Sequence, residues 1–183
     1  MCKICETKPV YEFTNQRKLC KRCFIKWFQK KFLFTIRKYK LIQNKEIILI
    51  SKKRDFRNIV LKELMNLYIE KNPKARIISN KYQKHTKKAT EKTTDIISYK
   101  IIKFILKNKP KKIREITPKY KKTILPLYLF LDKEVLLYAK LRNLKFNKTK
   151  IKETTQEQRI INNLEKKHPE IKRAIIQSGL KLS

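Results

Sequence analysis

The chain has 183 residues, with 49 Lys and Arg against 15 Asp and Glu, a formal net charge of +34. A chain so charged repels itself unless a polyanion neutralises it, so nucleic acid is the favoured partner. Hydrophobic residues make up 41% of it, enough for a core, while the single glycine, Gly179, excludes the glycine-built phosphate loops of Walker and Rossmann type. A compositional bias toward Lys, Ile and Asn is the competing account of the charge; it explains Lys over Arg better than it explains the scarcity of acids. An anionic membrane surface would also attract such a chain, but no uncharged run approaches the roughly 20 residues of a spanning helix. A soluble, cytoplasmic protein is expected, with no membrane partner.

All four cysteines fall in the first 23 residues, as two Cys-x-x-Cys pairs, Cys2/Cys5 and Cys20/Cys23, separated by residues 6–19. Each pair can form a knuckle that aims two thiolates at one point, and four sulfurs suit a structural, tetrahedral zinc ion. Two disulfides or four unrelated thiols are the other readings. No secretory leader is read, so stable disulfides are not expected. Four sulfurs leave no open position for water, so metal-assisted hydrolysis is not implied. Residues 1–23 thus read as a zinc ribbon, with Tyr11 and Phe13 marking a hairpin strand between the knuckles.

From Phe24 to about Ile42 the pattern becomes helical. Phe24, Phe28, Phe32, Ile36 and Tyr39 recur at spacings of three or four and share a face. Lys26, Lys30, Lys31, Arg37, Lys38 and Lys40 give the helix its cationic side, either a solvated face or a ridge that tracks phosphates. Trp27 and Tyr39 could stack on bases, but both hold core-compatible positions. Glu46–Ile50 reads as a buried strand, and residues 57–71 as a helix with Ile59, Leu61, Leu64, Met65 and Tyr68 inward and Pro73 at its end. Residues 75–79 form a second strand candidate. Strand, helix, strand predicts a βαβ unit and a parallel sheet. Residues 80–94 carry no apolar period and read as a polar loop or linker, with His85 isolated in it.

A helix is expected over 94–108, with Asp95 near its start and Ile96, Ile97, Tyr99, Ile102, Phe104, Ile105 and Leu106 as core. The run 107–114, containing Lys111, Lys112 and Arg114, is a phosphate contact or a solvated loop. Residues 123–130 are apolar around Pro126. Asp132 caps a helix over 132–143, and two more helices cover about 155–167 and 169–177, the latter with Pro169 at its first position. The fold class is α/β: a zinc ribbon (1–23), a basic amphipathic helix (24–45), a reduced parallel-sheet domain (46–150) and C-terminal helices (151–183).

These residues resemble a known family. CKIC, LCKRCF and TIRKYKLI look like the N-terminus of the tRNA 2-thiolation enzymes of the archaeal and eukaryotic cytosolic type, relatives of bacterial tRNA 2-thiocytidine synthetase. ILPLYLFLDKEVLLYAKLRNLKF and LEKKHPEIKRAIIQS resemble the family's C-terminal helices. The resemblance covers most of the chain, strongly at 2–42 and 124–178. It implies a nucleotide-hydrolase-like (HUP, PP-loop) domain, tRNA as partner, and ATP-dependent sulfur transfer as the family activity.

The departures from the family are as informative. Its pyrophosphatase-type loop, Ser-Gly-Gly-Lys-Asp-Ser, aligns with Ser51-Lys52-Lys53-Arg54-Asp55-Phe56, which keeps Ser51 and Asp55 and loses both glycines. A later family motif keeps only Asp95. The family's later cysteines, used for sulfur transfer or an iron–sulfur cluster, have no counterpart after Cys23; its C-terminal zinc finger is missing, and the middle of the chain is short.

Lys52, Lys53 and Arg54 attract phosphate but cannot replace a backbone nest. ATP and an iron–sulfur cluster are therefore not expected, and no catalytic residue is assigned with Ser51, Asp55 and Asp95 in a degenerate site. The reading is a tRNA-binding pseudoenzyme acting as subunit or regulator in tRNA thio-modification, binding tRNA or another structured RNA, with a thiolation-complex protein or a second copy as further partner. An active ATP-dependent tRNA 2-thiouridine sulfurtransferase and a ribosome-associated RNA-binding adaptor are the alternatives.

Overall fold

Two strands, β1 (Tyr11–Glu12) and β2 (Lys18–Leu19), pair antiparallel across a tight turn in which Gln16 takes a positive φ of 62°. The computed structural model describes residues 1–147 and 155–182. Helix α1 (Lys21–Lys38) leaves the hairpin directly and buries Phe24, Phe28, Phe32 and Ile36, the stripe that its period predicts. It ends before Ile42: Tyr39 closes it, Lys40 turns at φ 45°, and Leu41 and Ile42 continue as buried extended chain. Phe28 stacks on Tyr138 at 4.3 Å and meets Phe130 at 4.4 Å, which fixes α1 on the rest of the molecule.

β3 (Ile47–Ile50), α2 (Phe56–Glu70) and β4 (Arg76–Ile78) make the expected βαβ unit. Of the inner face expected for α2, Leu61, Leu64 and Met65 are buried, joined by Phe56, Asn58 and Val60. The expected linker is not one. Within 80–94 lies β5 (Lys87–Ala89), paired in parallel with β3 on one side and β7 (Thr123–Ile124) on the other, the middle of a sheet ordered β4-β3-β5-β7-β6. Three residues, two of them lysines, leave no apolar period to detect. Ala89 supplies the burial, and Lys87 is accommodated by an ion pair to Glu46 at 3.6 Å. β6 (Lys119–Tyr120) is the antiparallel edge.

α3 (Thr94–Leu106) buries Thr94, Asp95, Ile97, Ser98 and Ile101; the expected core residues Ile105 and Leu106 are exposed instead. The charge run is a 3-10 turn over 110–116 whose Ile113 and Ile116 enter a second apolar cluster with Ile97, Ile101, Tyr128 and Ile176. α4 (Asp132–Leu141) is capped at Leu131, and Asp132 is its first residue, not its cap. α5 (Gln156–Lys167) and α6 (Ile171–Lys181) follow; Pro169 lies in the turn ahead of α6. The expected boundary at 150/151 lies outside the described residues. Gly179 lies where α6 crosses α3, and a Cβ there would stand 2.6 Å from Ile101 Cδ1, so it serves helix packing.

One carboxylate ties the parts together. Glu134, fully buried on α4, accepts from Tyr11 Oη (3.3 Å) and Arg173 (2.7 Å) on one oxygen. On the other it accepts from Lys31 Nζ (3.1 Å) and the Leu131 amide (3.0 Å). Hairpin, α1, α4 and α6 thus share one charge. Glu134→Ala leaves the half-buried Lys31 uncompensated and Arg173 with Glu170 alone, and is expected to lower stability by roughly 3–5 kcal/mol, measured by denaturant unfolding.

Candidate functional site

The first knuckle is a turn: the Cys2 amide donates to Thr7 O (2.9 Å) and the Glu6 amide to Cys2 O (3.0 Å), with Glu6 at φ 57°. The second lies at the start of α1, where Cys20 is the N-cap and Cys23 is in the first turn. The hairpin brings the two together. The four Sγ atoms lie within 4.8 Å of one another, with Cys5 3.3 Å from Cys20 and 3.6 Å from Cys23. Cys2, Cys20 and Cys23 are buried and Cys5 is exposed. Among the described residues no other group of His, Cys, Asp and Glu converges in this way. The Thr7 hydroxyl, with the Cys23 amide next, draws the Cys20 thiol down to about 6, and the positive end of α1 favours a thiolate there as well. Burial, with the neighbouring thiols, pushes Cys23 up to about 12.

A second site is set by topology. From β3 the chain crosses through α2 to β4 on one side, then returns past β3 to β5 on the other. In open α/β sheets that reversal opens a crevice at the carboxyl ends of the strands, where ligands bind. Ser51 follows β3 and Thr90 follows β5, so the degenerate loop sits at this point. A crevice of about 410 Å³ opens between the ends of β3 and β4, lined by Ser51, Lys52, Asn80, Lys81, Tyr82 and Lys88 among others.

The loop itself is filled by its own chain. None of residues 51–55 has a positive φ, so its amides form no nest for phosphate. Asp55 caps α2, its Oδ1 accepting from the Arg57 (3.1 Å) and Asn58 (3.2 Å) amides. The buried Asn58 amide donates to Ser51 O and Lys53 O, both at 2.7 Å, and Lys53 Nζ reaches Glu91 across the mouth at 2.7 Å. Asp95 is also engaged: Lys172 Nζ and the Asp132 amide donate to it, both at 2.7 Å. Burial and the charge of Asp132 push its carboxyl up, opposed by Lys172. Asp132 in turn holds Arg57 in a two-pronged pair and accepts from Thr93. Ser51, Asp55 and Asp95 thus lie at one end of the sheet, with both carboxylates bound inside the chain.

The candidate cations divide. Lys26, Lys30, Arg37, Lys38 and Lys40 are exposed along or just beyond α1, Lys52 and Arg54 on the loop, and Lys111, Lys112 and Arg114 on the 3-10 turn. Lys31 turns inward to Glu134 and lies over the Trp27 and Phe130 rings, so it does not belong with the surface set. Trp27 packs edge-on to Phe13 at 4.7 Å, within an aromatic cluster with Tyr11 and Phe24. Sequence reasoning missed Asn58, Arg22 and Phe34; the first has no motif, and the others sit off the apolar stripe of α1. No helix among the described residues is long and apolar enough to cross a membrane.

By sequence the chain matches no family model and none of the curated proteins. Its architecture, a cysteine hairpin and helix ahead of a mostly parallel sheet, nevertheless has a solved counterpart. Among solved structures it is similar to the U34-tRNA thiolase NcsA from Methanococcus maripaludis with its 4Fe–4S cluster. The TM-score is 0.80 at 18% identity, over 99% of this chain and 86% of that one. At that identity the likeness establishes the fold.

The comparison corrects the cofactor reading. The sequence pattern was assigned to zinc and an iron–sulfur cluster set aside; the neighbour carries such a cluster, and this chain has a converging four-cysteine group, which points to iron–sulfur in place of zinc. The physical reason is that spacing counts thiolates without naming the metal, since sulfur-only donor sets serve both.

Asn58→Ala removes the brace under the loop and strands the carbonyls of Ser51 and Lys53. Stability is expected to fall by about 1–3 kcal/mol, with faster amide exchange confined to residues near 51–54.

Proposed function

We infer that this chain is an RNA-binding relative of the tRNA 2-thiolation enzymes that takes part in tRNA thio-modification as a non-catalytic subunit or regulator. The observation that carries the reading is the loop after β3: it has the place of a nucleotide cradle, but no left-handed residue, and its helix start is capped by Asp55. The thiolase fold and the +34 charge support tRNA as the partner. Exposed cations that release counterions from phosphate supply the affinity. The units proposed are residues 1–23 as the cysteine module, 24–45 as the basic helix and 46–150 as the sheet domain, with the helices beyond.

The group proposed at Cys2, Cys5, Cys20 and Cys23 is an iron–sulfur cluster. Four thiolates are the complement that a 4Fe–4S cluster takes. The sulfurs as placed close around one point, within 4.8 Å of one another, so a four-iron centre would require the two knuckles to open. When bound, the cluster pins the hairpin to α1; the chain's part is to present the thiolates. A second reading, an active sulfurtransferase, is favoured by the neighbour's cluster alone.

Purified protein is expected to bind tRNA with an affinity that falls roughly 10³-fold or more between about 50 and 200 mM salt, the loss expected for six or more phosphate contacts. It is expected to form no thiouridine with ATP and a sulfur donor. ATP-dependent thiolation that Asp55→Ala abolishes selects the second reading. Protein prepared without oxygen is expected to contain iron and acid-labile sulfide, both lost in Cys20→Ser; protein devoid of iron and sulfide refutes the cluster.

A further inference from the structure

We propose that the groove beside the cysteine group, along the outer stripe of α1, takes an unpaired stretch of RNA, with a base against Phe34 and phosphates against Arg22, Lys26 and Lys30. The proposal rests on the RNA-binding reading above and names the surface and the form of RNA. Cys23, Trp27, Lys30 and Phe34 follow one another at helical spacings of three and four, with Lys26 three from Cys23 and four from Lys30, so they line one side of α1. With Ile4 and Cys5 of the first knuckle opposite, they line a groove of about 900 Å³ that runs from the cysteine group to Phe34.

Its floor is apolar and its rim cationic. Ile4 is 68% and Phe34 49% exposed, and Phe34 is the one exposed phenylalanine among the described residues. Packing does not account for it, because the inner face of α1 is Phe24, Phe28, Phe32 and Ile36. Lys38 Nζ stands 5.6 Å from the Phe34 ring centre, one turn on. No acidic residue occurs in α1, so Arg22, Lys26 and Lys30 face the groove undiluted. A phosphate ester would use the rim and leave the floor unused; an apolar peptide would use the floor and meet repulsion-free but unmatched charge at the rim. An RNA strand uses both. A duplex keeps its bases stacked inside and offers phosphate and sugar, whereas an unpaired base offers a face to an aromatic ring.

Trp27 is the chain's single tryptophan and lines this groove, so it reports on occupancy. The full chain is titrated, at matched salt, with an unstructured oligouridylate of about ten nucleotides, within the usual range of single-strand sites, and with a blunt RNA duplex. The oligouridylate is expected to change Trp27 fluorescence, and Phe34→Ala to weaken its binding about tenfold, as loss of one base–aromatic stack does. The exposed position of Phe34 keeps that variant folded, checked by circular dichroism. Lys26→Ala and Lys30→Ala are expected to lower the salt slope, and the duplex to leave Trp27 fluorescence unchanged. If tRNA binds but the oligouridylate leaves Trp27 fluorescence unchanged, or Phe34→Ala binds it as tightly as the parent chain, the groove proposal falls and the RNA-binding reading stands. If no RNA binds at all, the RNA-binding reading itself falls.

Discussion

The fold depends on a charge placed where no water reaches it. Glu134 sits at the junction of the cysteine hairpin, α1, α4 and α6, and each of these contributes a donor to it. A buried carboxylate is costly to desolvate, and such a cluster adds little net stability over an apolar equivalent. Its effect is on geometry. Lys31 must fold back from the cationic side of α1, and Arg173 must bring α6 beneath the hairpin, or the charge is left unmatched. The apolar stripe of α1 turns that helix inward, and Phe28 joins it to α4 through Tyr138. The ionic hub adds a matched charge at the same junction, drawing Lys31 away from the outer side of α1.

The same economy governs the carboxyl end of the sheet. Three helices, α2, α3 and α4, begin there, and their free amides would together attract an anion. The chain meets that demand itself. Asp55 caps α2, Asp95 takes the first amide of α4, and Asp132 balances Arg57. Lys172, reaching in from α6, neutralises Asp95, and burial alone would have lowered its pKa had the carboxylate not raised it. A glycine-built loop would have offered amides outward to a phosphate; this loop turns its carbonyls inward to Asn58. The crevice between β3 and β4 stays open and lysine-lined, but beside a loop whose polar groups are already occupied.

What the sequence disclosed follows from where burial is continuous. The stripe of α1, the run 47–50 and the helix after it all bury whole faces, and their periods were legible. The cysteine pairs located their site because each spacing makes a knuckle and a short hairpin joins the two, yet spacing is blind to the metal, and zinc was the wrong assignment. β5 was missed because a central strand can be three residues long when a small residue and an ion-paired lysine suffice to fill it. Ile105 and Leu106 were assigned to the core because a helix with apolar residues all round gives no phase to choose between. The roles of Asp95 and Glu134 are set largely by partners tens of residues away, Lys172 and Asp132 for the first and Tyr11, Lys31 and Arg173 for the second, beyond the reach of any local pattern.

The positive exterior reflects where the fold places its few acids as well as how many lysines the chain has. Two accounts were open: a lysine-rich composition that carries no meaning, or a surface kept positive. A bias toward lysine codons does not decide where acids go. Here Glu46, Glu63, Glu91, Asp95, Asp132 and Glu134 are each committed to a cation within the structure, Asp95 and Glu134 of them buried. The fold therefore draws heavily on a supply of 15 carboxylates, and even if every one neutralised a cation, a surplus of 34 would remain for the surface. Those six acids sit at structural junctions, and α1, which carries an exposed cationic side, has no acid at all. Bias accounts for the number of lysines; the commitment of many of the few carboxylates to internal ion pairs leaves a surface on which cations outnumber acids.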